Sequence, residues 1–164
     1  MDKITEAPLF LKEFVKAEVW RGGKGFYGAQ PDETPEVADL ITNAGRTFLA
    51  NRIGGSVASA MAYMAIGSGS TAAALADTGL ISEQKRKALS ANSANTNNVY
   101  TAVCTFGGAA DVVTSVQITE AGILNHASSG NGTLFQRVTF AAITLADSDL
   151  LKITLETNVG SNTI

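Results

Sequence analysis

The spacing of apolar residues changes near residue 55, from intervals of three and four before it to alternation by two after it. Ahead of the change, Asp32-Glu33-Thr34-Pro35-Glu36 reads as a helix start. Thr34 can cap, Pro35 suits the first helical position, and Glu36 favours the positive end of the helix dipole. Val37, Leu40, Ile41, Ala44, Phe48 and Leu49 then form an apolar stripe, with Asp39, Asn43 and Arg46 mostly off it, so an amphipathic helix is expected over about 35–53. Gly54-Gly55 ends it. Gly45 in mid-helix costs up to about 1 kcal/mol relative to alanine, which points to close packing at that position.

Strands are expected beyond residue 55, where the chain contains no proline. A short apolar run, Met61 to Ile66, ends at Gly67-Ser68-Gly69-Ser70-Thr71, a loop whose glycines permit positive φ. Ala72 to Ala76 suits a brief helical turn, and Thr78 to Ile81 leads into the charge run Glu83-Gln84-Lys85-Arg86-Lys87, read as a solvated face. After the polar, turn-rich segment 92–98, Val99 to Phe106 alternates, and Gly107-Gly108 turns the chain. Val112 to Ile118 forms the next strand and runs on through Gln117-Ile118-Thr119-Glu120-Ala121-Gly122-Ile123-Leu124. The stretch 126–132, with its Asn131-Gly132 pair, closes a hairpin into two long alternating strands, Leu134 to Phe140 and Leu151 to Thr157. The pattern is that of an antiparallel β-sandwich occupying residues 34–164, preceded by its helix.

Residues 1–33 differ. They carry Phe10, Phe14, Trp20, Phe26 and Tyr27, interleave Lys12, Glu13, Lys16 and Glu18, and break at Arg21-Gly22-Gly23-Lys24-Gly25. This reads as an extended N-terminal arm whose aromatics either cover the domain's own core or dock on a neighbour. Removing residues 1–30 is accordingly expected to leave the β-domain folded while weakening attachment to a partner. The glycine cluster lacks the spacing of a phosphate loop.

Composition narrows the function classes. A chain of 164 residues can bury a core without staples. One cysteine, Cys104, excludes an intrachain disulfide framework and reads as a small core residue, and with one histidine, His126, the usual Cys/His zinc patterns cannot be assembled. A net charge of −3 gives no basic balance to draw the chain onto nucleic acid or an anionic membrane. No apolar stretch approaches the roughly 20 residues that span a bilayer. Met1 to Ala7 carry Asp2, Lys3 and Glu6, so no signal peptide is expected and synthesis in a cytoplasm is. Charged residues make up 16%, below the roughly 25% usual in soluble domains, which suits burial against neighbouring proteins.

No catalytic, cofactor-binding or metal-ligating residues are expected. His126 falls in a hairpin loop expected to face solvent, no serine lies in a nucleophile elbow, and Asp147-Ser148-Asp149 reads as a turn rather than a calcium loop. The one charge that demands explanation is Glu120, inside an otherwise apolar strand. An unpaired buried carboxylate is costly, so Arg86, Arg46 or Arg137 is expected to reach it; a solvent-facing Glu120 at a subunit rim is the alternative.

Five stretches, taken in order, resemble small structural proteins of tailed-bacteriophage virions: residues 41–46 (Ile-Thr-Asn-Ala-Gly-Arg), 63–71 (Tyr-Met-Ala-Ile-Gly-Ser-Gly-Ser-Thr), 86–89 (Arg-Lys-Ala-Leu), 118–123 (Ile-Thr-Glu-Ala-Gly-Ile) and 132–140 (Gly-Thr-Leu-Phe-Gln-Arg-Val-Thr-Phe). The resemblance covers about residues 35–159. It implies a capsid decoration (cement) protein with a jelly-roll-like sandwich that trimerises on the outer shell, with the major capsid protein as partner, or else a tail-fibre or baseplate-associated module. A carbohydrate-binding sandwich is a further alternative, weakened by the single tryptophan. The resemblance implies no catalytic residues.

Overall fold

Alternation by two is realised as two antiparallel sheets in a computed structural model that describes residues 9–22, 32–33, 37–38, 40–56, 58–94, 98–111 and 116–161. In chain order the elements are β1 (Leu9–Trp20), β2 (Asp32–Glu33), β3 (Val37–Ala38), β4 (Leu40–Ile41), α1 (Asn43–Ile53), β5 (Tyr63–Gly67), β6 (Glu83–Ala88), β7 (Ala91–Ala94), β8 (Val99–Gly107), α2 (Gly108–Asp111), β9 (Gln117–Leu124), β10 (Leu134–Thr144) and β11 (Leu150–Ser161). One sheet has the order β2-β1-β11-β8-β7, with β3 also on β1; the other has the order β4-β10-β9-β5-β6. The fold is mainly β.

A single large core lies between the sheets. Leu151, Ile153 and Leu155 of β11, Cys104 and Phe106 of β8, and Val15 and Val19 of β1 meet Met64, Ile66, Ile123 and Val138 from the other sheet. Along β11 the alternation is strict, with Leu151, Ile153, Leu155 and Thr157 buried and Glu156 exposed, as one buried face requires. Each large apolar side chain buried there stabilises the fold by about 1.5–3 kcal/mol before ordering costs.

Three expectations are corrected. Residues 9–20 are not an arm: β1 pairs with β11 over its whole length, from Leu9 opposite Ser161 to Trp20 opposite Leu150, and carries β2 and β3 on its other side. Val15, Ala17, Val19 and Trp20 are buried, so deleting residues 1–30 removes an interior strand and part of the core. The mixed Lys/Glu pattern hid this strand because Lys16 and Glu18 lie on the face away from the core, where Glu18 pairs with Lys152 at 2.8 Å and with Lys16 at 3.5 Å. Trp20 lies under Lys152, whose Nζ is 5.8 Å from the ring centroid. Phe14 sits opposite Glu156, whereas Phe26, Tyr27 and the side chain of Phe10 fall outside the described residues.

The helix, second, begins eight residues later than expected. Its cap is Thr42, whose Oγ1 accepts from the Gly45 N–H at 3.0 Å and donates to the Leu134 carbonyl at 2.6 Å. Val37 and Leu40 belong to short strands on β1 and β10 instead, because pairing along existing edges satisfies their backbone. Gly54 caps the helix, and Gly55 takes a positive φ of 84°. Gly45 is needed for close approach: a Cβ there would collide with the Phe135 carbonyl.

The charge run 83–87, third, is not a solvated face. It is the half-buried strand β6, whose Arg86 pairs with Glu83 and whose Lys85 and Lys87 share Asp111. The helical turn expected over 72–76 is a single hydrogen-bonded turn, Asp77 N–H to Ala74 carbonyl at 3.0 Å. The expected strand 112–118 is described only from Val116, and β9 begins at Gln117.

Candidate docking loop and its buried ion pair

Between β5 and β6 the chain makes a fifteen-residue excursion, 68–82, with no helix or strand of its own. Its ends meet: Ser68 N–H donates to the Ser82 carbonyl at 2.9 Å, and the two hydroxyl oxygens lie 3.0 Å apart. That is an Ω-loop, a class of compact excursion that is frequently functional. The loop is tied to the outer face of the second sheet. Alternation sends Ala121 and Ile123 into the main core and leaves Glu120, Gly122 and Leu124 on the opposite face. There Leu124, Leu134 and Ala65 pack against Leu80 of the loop.

Glu120 and Arg137 are diagonal neighbours on that face, since Glu120 opposes Thr139 and Arg137 opposes Gly122. Both side chains are fully buried, and Arg137 Nε lies 2.8 Å from Glu120 Oε2. The carboxylate also accepts the N–H groups of Gly69 at 3.0 Å, Ser82 at 2.8 Å and Ile81 at 3.1 Å. The guanidinium donates to the Thr71 carbonyl at 2.8 Å, the Ala72 carbonyl at 3.4 Å and Asp77 Oδ2 at 2.8 Å. Asp77 Oδ2 in turn accepts from Ala74 N–H at 2.9 Å. An acid-base pair under a loop thus supplies acceptors to its N–H groups and donors to its carbonyls, the work that water or a ladder would otherwise do. Two further bonds fix the rim, Thr119 Oγ1 to the Gly69 carbonyl at 2.9 Å and Asn43 N–H to the Leu75 carbonyl at 2.8 Å. Leu75 and Ile81 stay exposed at 40% and 56% on this rigidly held loop.

The Gly67-Ser68-Gly69 motif acquires a different meaning from the one its sequence suggests. Neither glycine has positive φ. A Cβ on either would come within 2.5 Å of Glu120 Oε1, so both are glycine to let the carboxylate in. Gly122 likewise gives Leu80 and the Gln136 carbonyl their place.

Of the arginines expected near Glu120, Arg137 alone reaches it. Arg86 forms a bidentate pair with Glu83, at 2.9 and 2.7 Å, and its Nη1 donates to the carbonyls of His126, Ser128 and Asn131 at 2.8–2.9 Å, which secures the β9–β10 connection. Arg46 is an exposed residue of α1. Sequence reasoning missed the loop-facing partners, Asp77 among them, because they are sixty residues from Arg137 in the chain.

Other polar clusters close the ends of the sandwich. Asp149 accepts from Arg21 Nη1 at 2.7 Å and from the N–H groups of Ala146 and Gly22 at 2.9 and 3.0 Å. Burial pushes its carboxyl up, but those backbone donors and the Arg21 guanidinium outweigh burial and hold it below the usual carboxylate range. Its oxygens are therefore committed to the turn and to Arg21. Asp111 joins the edges of the two sheets through Lys87 at 2.7 Å, Lys85 at 3.5 Å and Gly107 N–H at 2.9 Å. Its carboxyl is lowered too, burial being outweighed by Lys87 and the Gly107 N–H. Burial drives the Cys104 thiol upward, against the smaller opposing effect of Lys87. His126 is exposed and accepts from Ser128 N–H at Nδ1, far in role from buried Cys104. Among the described residues no group of three or more His, Cys, Asp or Glu could hold a metal ion, and no helix is long and apolar enough to cross a membrane.

Fold and loop together define a β-sandwich-like domain that presents an ion-clamped Ω-loop. No protein-family model matches the chain, and no curated protein and no solved structure matches it.

Proposed function

We propose that the protein is a non-enzymatic virion structural component that binds the outer capsid surface and bridges neighbouring capsomers, with loop 68–82 as part of its contact surface. One observation carries this reading. The five stretches that resemble phage structural proteins gather in space: residues 41–46 cap α1, and the other four build β5 with the start of the loop, β6, β9 and β10, including both partners of the Glu120–Arg137 pair. Four of them, 41–46, 63–71, 118–123 and 132–140, share the bonds that hold loop 68–82, while 86–89 supplies Arg86 to the β9–β10 connection, and preorganised loops lose little entropy on docking. Leu75 and Ile81 are its exposed apolar groups. Trp20 is buried at 5% exposure, so it offers no face for stacking a sugar.

A jelly-roll-like topology belongs to the same proposal. β1 pairs with β11 in one sheet and β4 with β10 in the other, so the two ends of the chain's strands meet in both sheets, an arrangement such a winding would use. The test is co-sedimentation of the purified protein with heads that lack it. Saturable binding, lost in a Leu75→Ser/Ile81→Ser variant that melts normally, is the expected result. Absence of binding to heads, with label at the tail in electron micrographs of intact particles, would replace the capsid assignment by a tail one.

A further inference from the structure

A cleft of about 270 Å³ opens between the sheets beside α1. Tyr100 of β8 and Thr157 of β11, opposite each other in register, wall it from one sheet, and Phe135 of β10 walls it from the other. Phe48 and Leu49 line it from the helix, and the Phe48 and Phe135 rings meet edge to face with centroids 6.4 Å apart. The polar groups within these walls are already bonded. Tyr100 Oη donates to the Met61 carbonyl at 2.8 Å, and Thr157 Oγ1 donates to Gln136 Oε1 at 2.6 Å. Asn92, the other polar side chain of the lining, is exposed on the edge strand β7. Water inside such a cleft has few partners, so an apolar group that displaces it gains affinity.

The cleft carries a single charge. Among the described residues Arg52 is the one charged group that lines it, and Arg52 makes no ion pair with any of them. Its Nη1 donates to the Ala58 carbonyl at 2.9 Å and its guanidinium carbon lies 5.9 Å from the Phe48 centroid, which holds the cation beside the apolar wall. A cation in the last turn of a helix commonly serves the helix's own terminal carbonyls. Here the carbonyls of Ala50, Asn51 and Arg52 accept instead from the N–H groups of Gly54, Ser56 and Gly55. The other guanidinium N–H groups are left for a planar acceptor from outside the chain, and a carboxylate matches their fork. Size sets the remaining limit: an apolar cavity of about 150 Å³ takes one benzene, so a cleft of about 270 Å³ admits roughly ten carbon atoms. We infer that the cleft binds an amphiphilic carboxylate, an acyl chain of about eight to ten carbons lying between the sheets with its carboxylate on Arg52. No residue of loop 68–82 lines the cleft, so the failure of this inference leaves capsid binding standing, and the reverse also holds.

Titration calorimetry of the full chain with sodium octanoate and decanoate, below their micelle-forming concentrations, should show saturable binding at one site per chain. Affinity should rise about fourfold for each added CH2 and level off near ten carbons. Arg52→Gln should weaken octanoate about tenfold while leaving 1-octanol unchanged, because only the carboxylate uses the guanidinium. Ala60→Trp, at an exposed lining position, should block both ligands. Amide shifts of the unmodified protein on adding octanoate, expected at Phe48, Leu49 and Tyr100, decide the matter even where a variant folds poorly. No saturable binding at millimolar octanoate or decanoate, equal octanoate affinity in Arg52→Gln, or shifts confined to other parts of the fold would each overturn it. So would affinity that keeps rising with chain length, the mark of surface adsorption, or capture of short peptides with an apolar residue beside an acid but not of octanoate, the mark of a protein-docking cleft.

Discussion

Replacing Glu120 by glutamine isolates the charge of the buried pair at nearly constant shape. Three backbone N–H groups and the Arg137 guanidinium all point donors at this carboxylate. Glutamine offers one acceptor oxygen and, in place of the other, an NH2 facing donors. Removing one partner of a buried ion pair typically costs about 3–5 kcal/mol, because the other charge is left uncompensated. Asp77 still faces Arg137 at 2.8 Å, which places the expected loss at the lower end, about 3 kcal/mol. For a domain of this size that is a fall in Tm of roughly 6–12 °C.

The informative comparison is the double variant Glu120→Leu/Arg137→Met. In many proteins an apolar replacement of a buried ion pair is neutral or stabilising. Here it should not be, because Gly69, Ile81 and Ser82 would lose their acceptor and Thr71 would lose its donor. Each buried polar group so orphaned costs about 1–3 kcal/mol. The double variant is therefore expected to be at least as unstable as either single one, with accelerated hydrogen exchange at Gly69, Ile81 and Ser82. Chemical denaturation and exchange measured by NMR decide it. A double variant as stable as wild type, with those amides still protected, would refute the clamp and make the pair incidental.

Gly69→Ala should lower stability by about 1–3 kcal/mol in urea melts, since its Cβ would meet Glu120 Oε1 at 2.5 Å and the Ile81 Cβ at 2.6 Å. Asp149 carries a folded-state carboxyl below its unfolded value, so its contribution is present above about pH 4 and is lost as pH falls through the lower folded value; Asp149→Asn should flatten the acid limb of a stability-against-pH curve below about pH 4. Cys104, fully buried with its thiol pushed up, should resist a maleimide reagent in the native protein at pH 7 and react fully in urea, as read by mass spectrometry. Arg86→Lys should keep the fold but free the connection 125–133, visible as raised exchange at Thr133, because one ammonium cannot reproduce two bonds to Glu83 and three to carbonyls.

The period-two strands were legible because each presents one face to a core: β8, β9, β10 and β11 lie within a few residues of their expected spans. Strand β1 was not, because its face away from the core carries Lys16 and Glu18 in a local alternation of charge, and its core face of Val15, Ala17 and Val19 is short enough to pass for helix or arm. The helix stripe that begins at Val37 misled for a related reason. Apolar spacing does not record which element supplies the burial: Leu40 is half-buried from a strand on β10, and Val37 pairs in a strand on β1. Thr42, three residues before the Gly45 N–H it caps, was the true signal.

The site was half legible in the same sense. A glutamate within an apolar strand implied a buried cation, and geometry selected Arg137 because β9 and β10 are hairpin neighbours whose register brings residues 120 and 137 onto one diagonal. What pairing alone could not reveal was the purpose of the pair, since its other bonds run to backbone atoms, which have no sequence signature. Backbone partners of a loop are invisible in composition, yet they leave a trace in their neighbours. Gly67, Gly69 and Gly122 are small where a Cβ would displace Glu120 Oε1 or Leu80. A charged residue in a strand, flanked in sequence or across the ladder by glycines without positive φ, therefore indicates a carboxylate sunk beneath a covering loop. In this chain that reading moves Glu120 from possible chemistry to support for a loop whose exposed apolar side chains are Leu75 and Ile81.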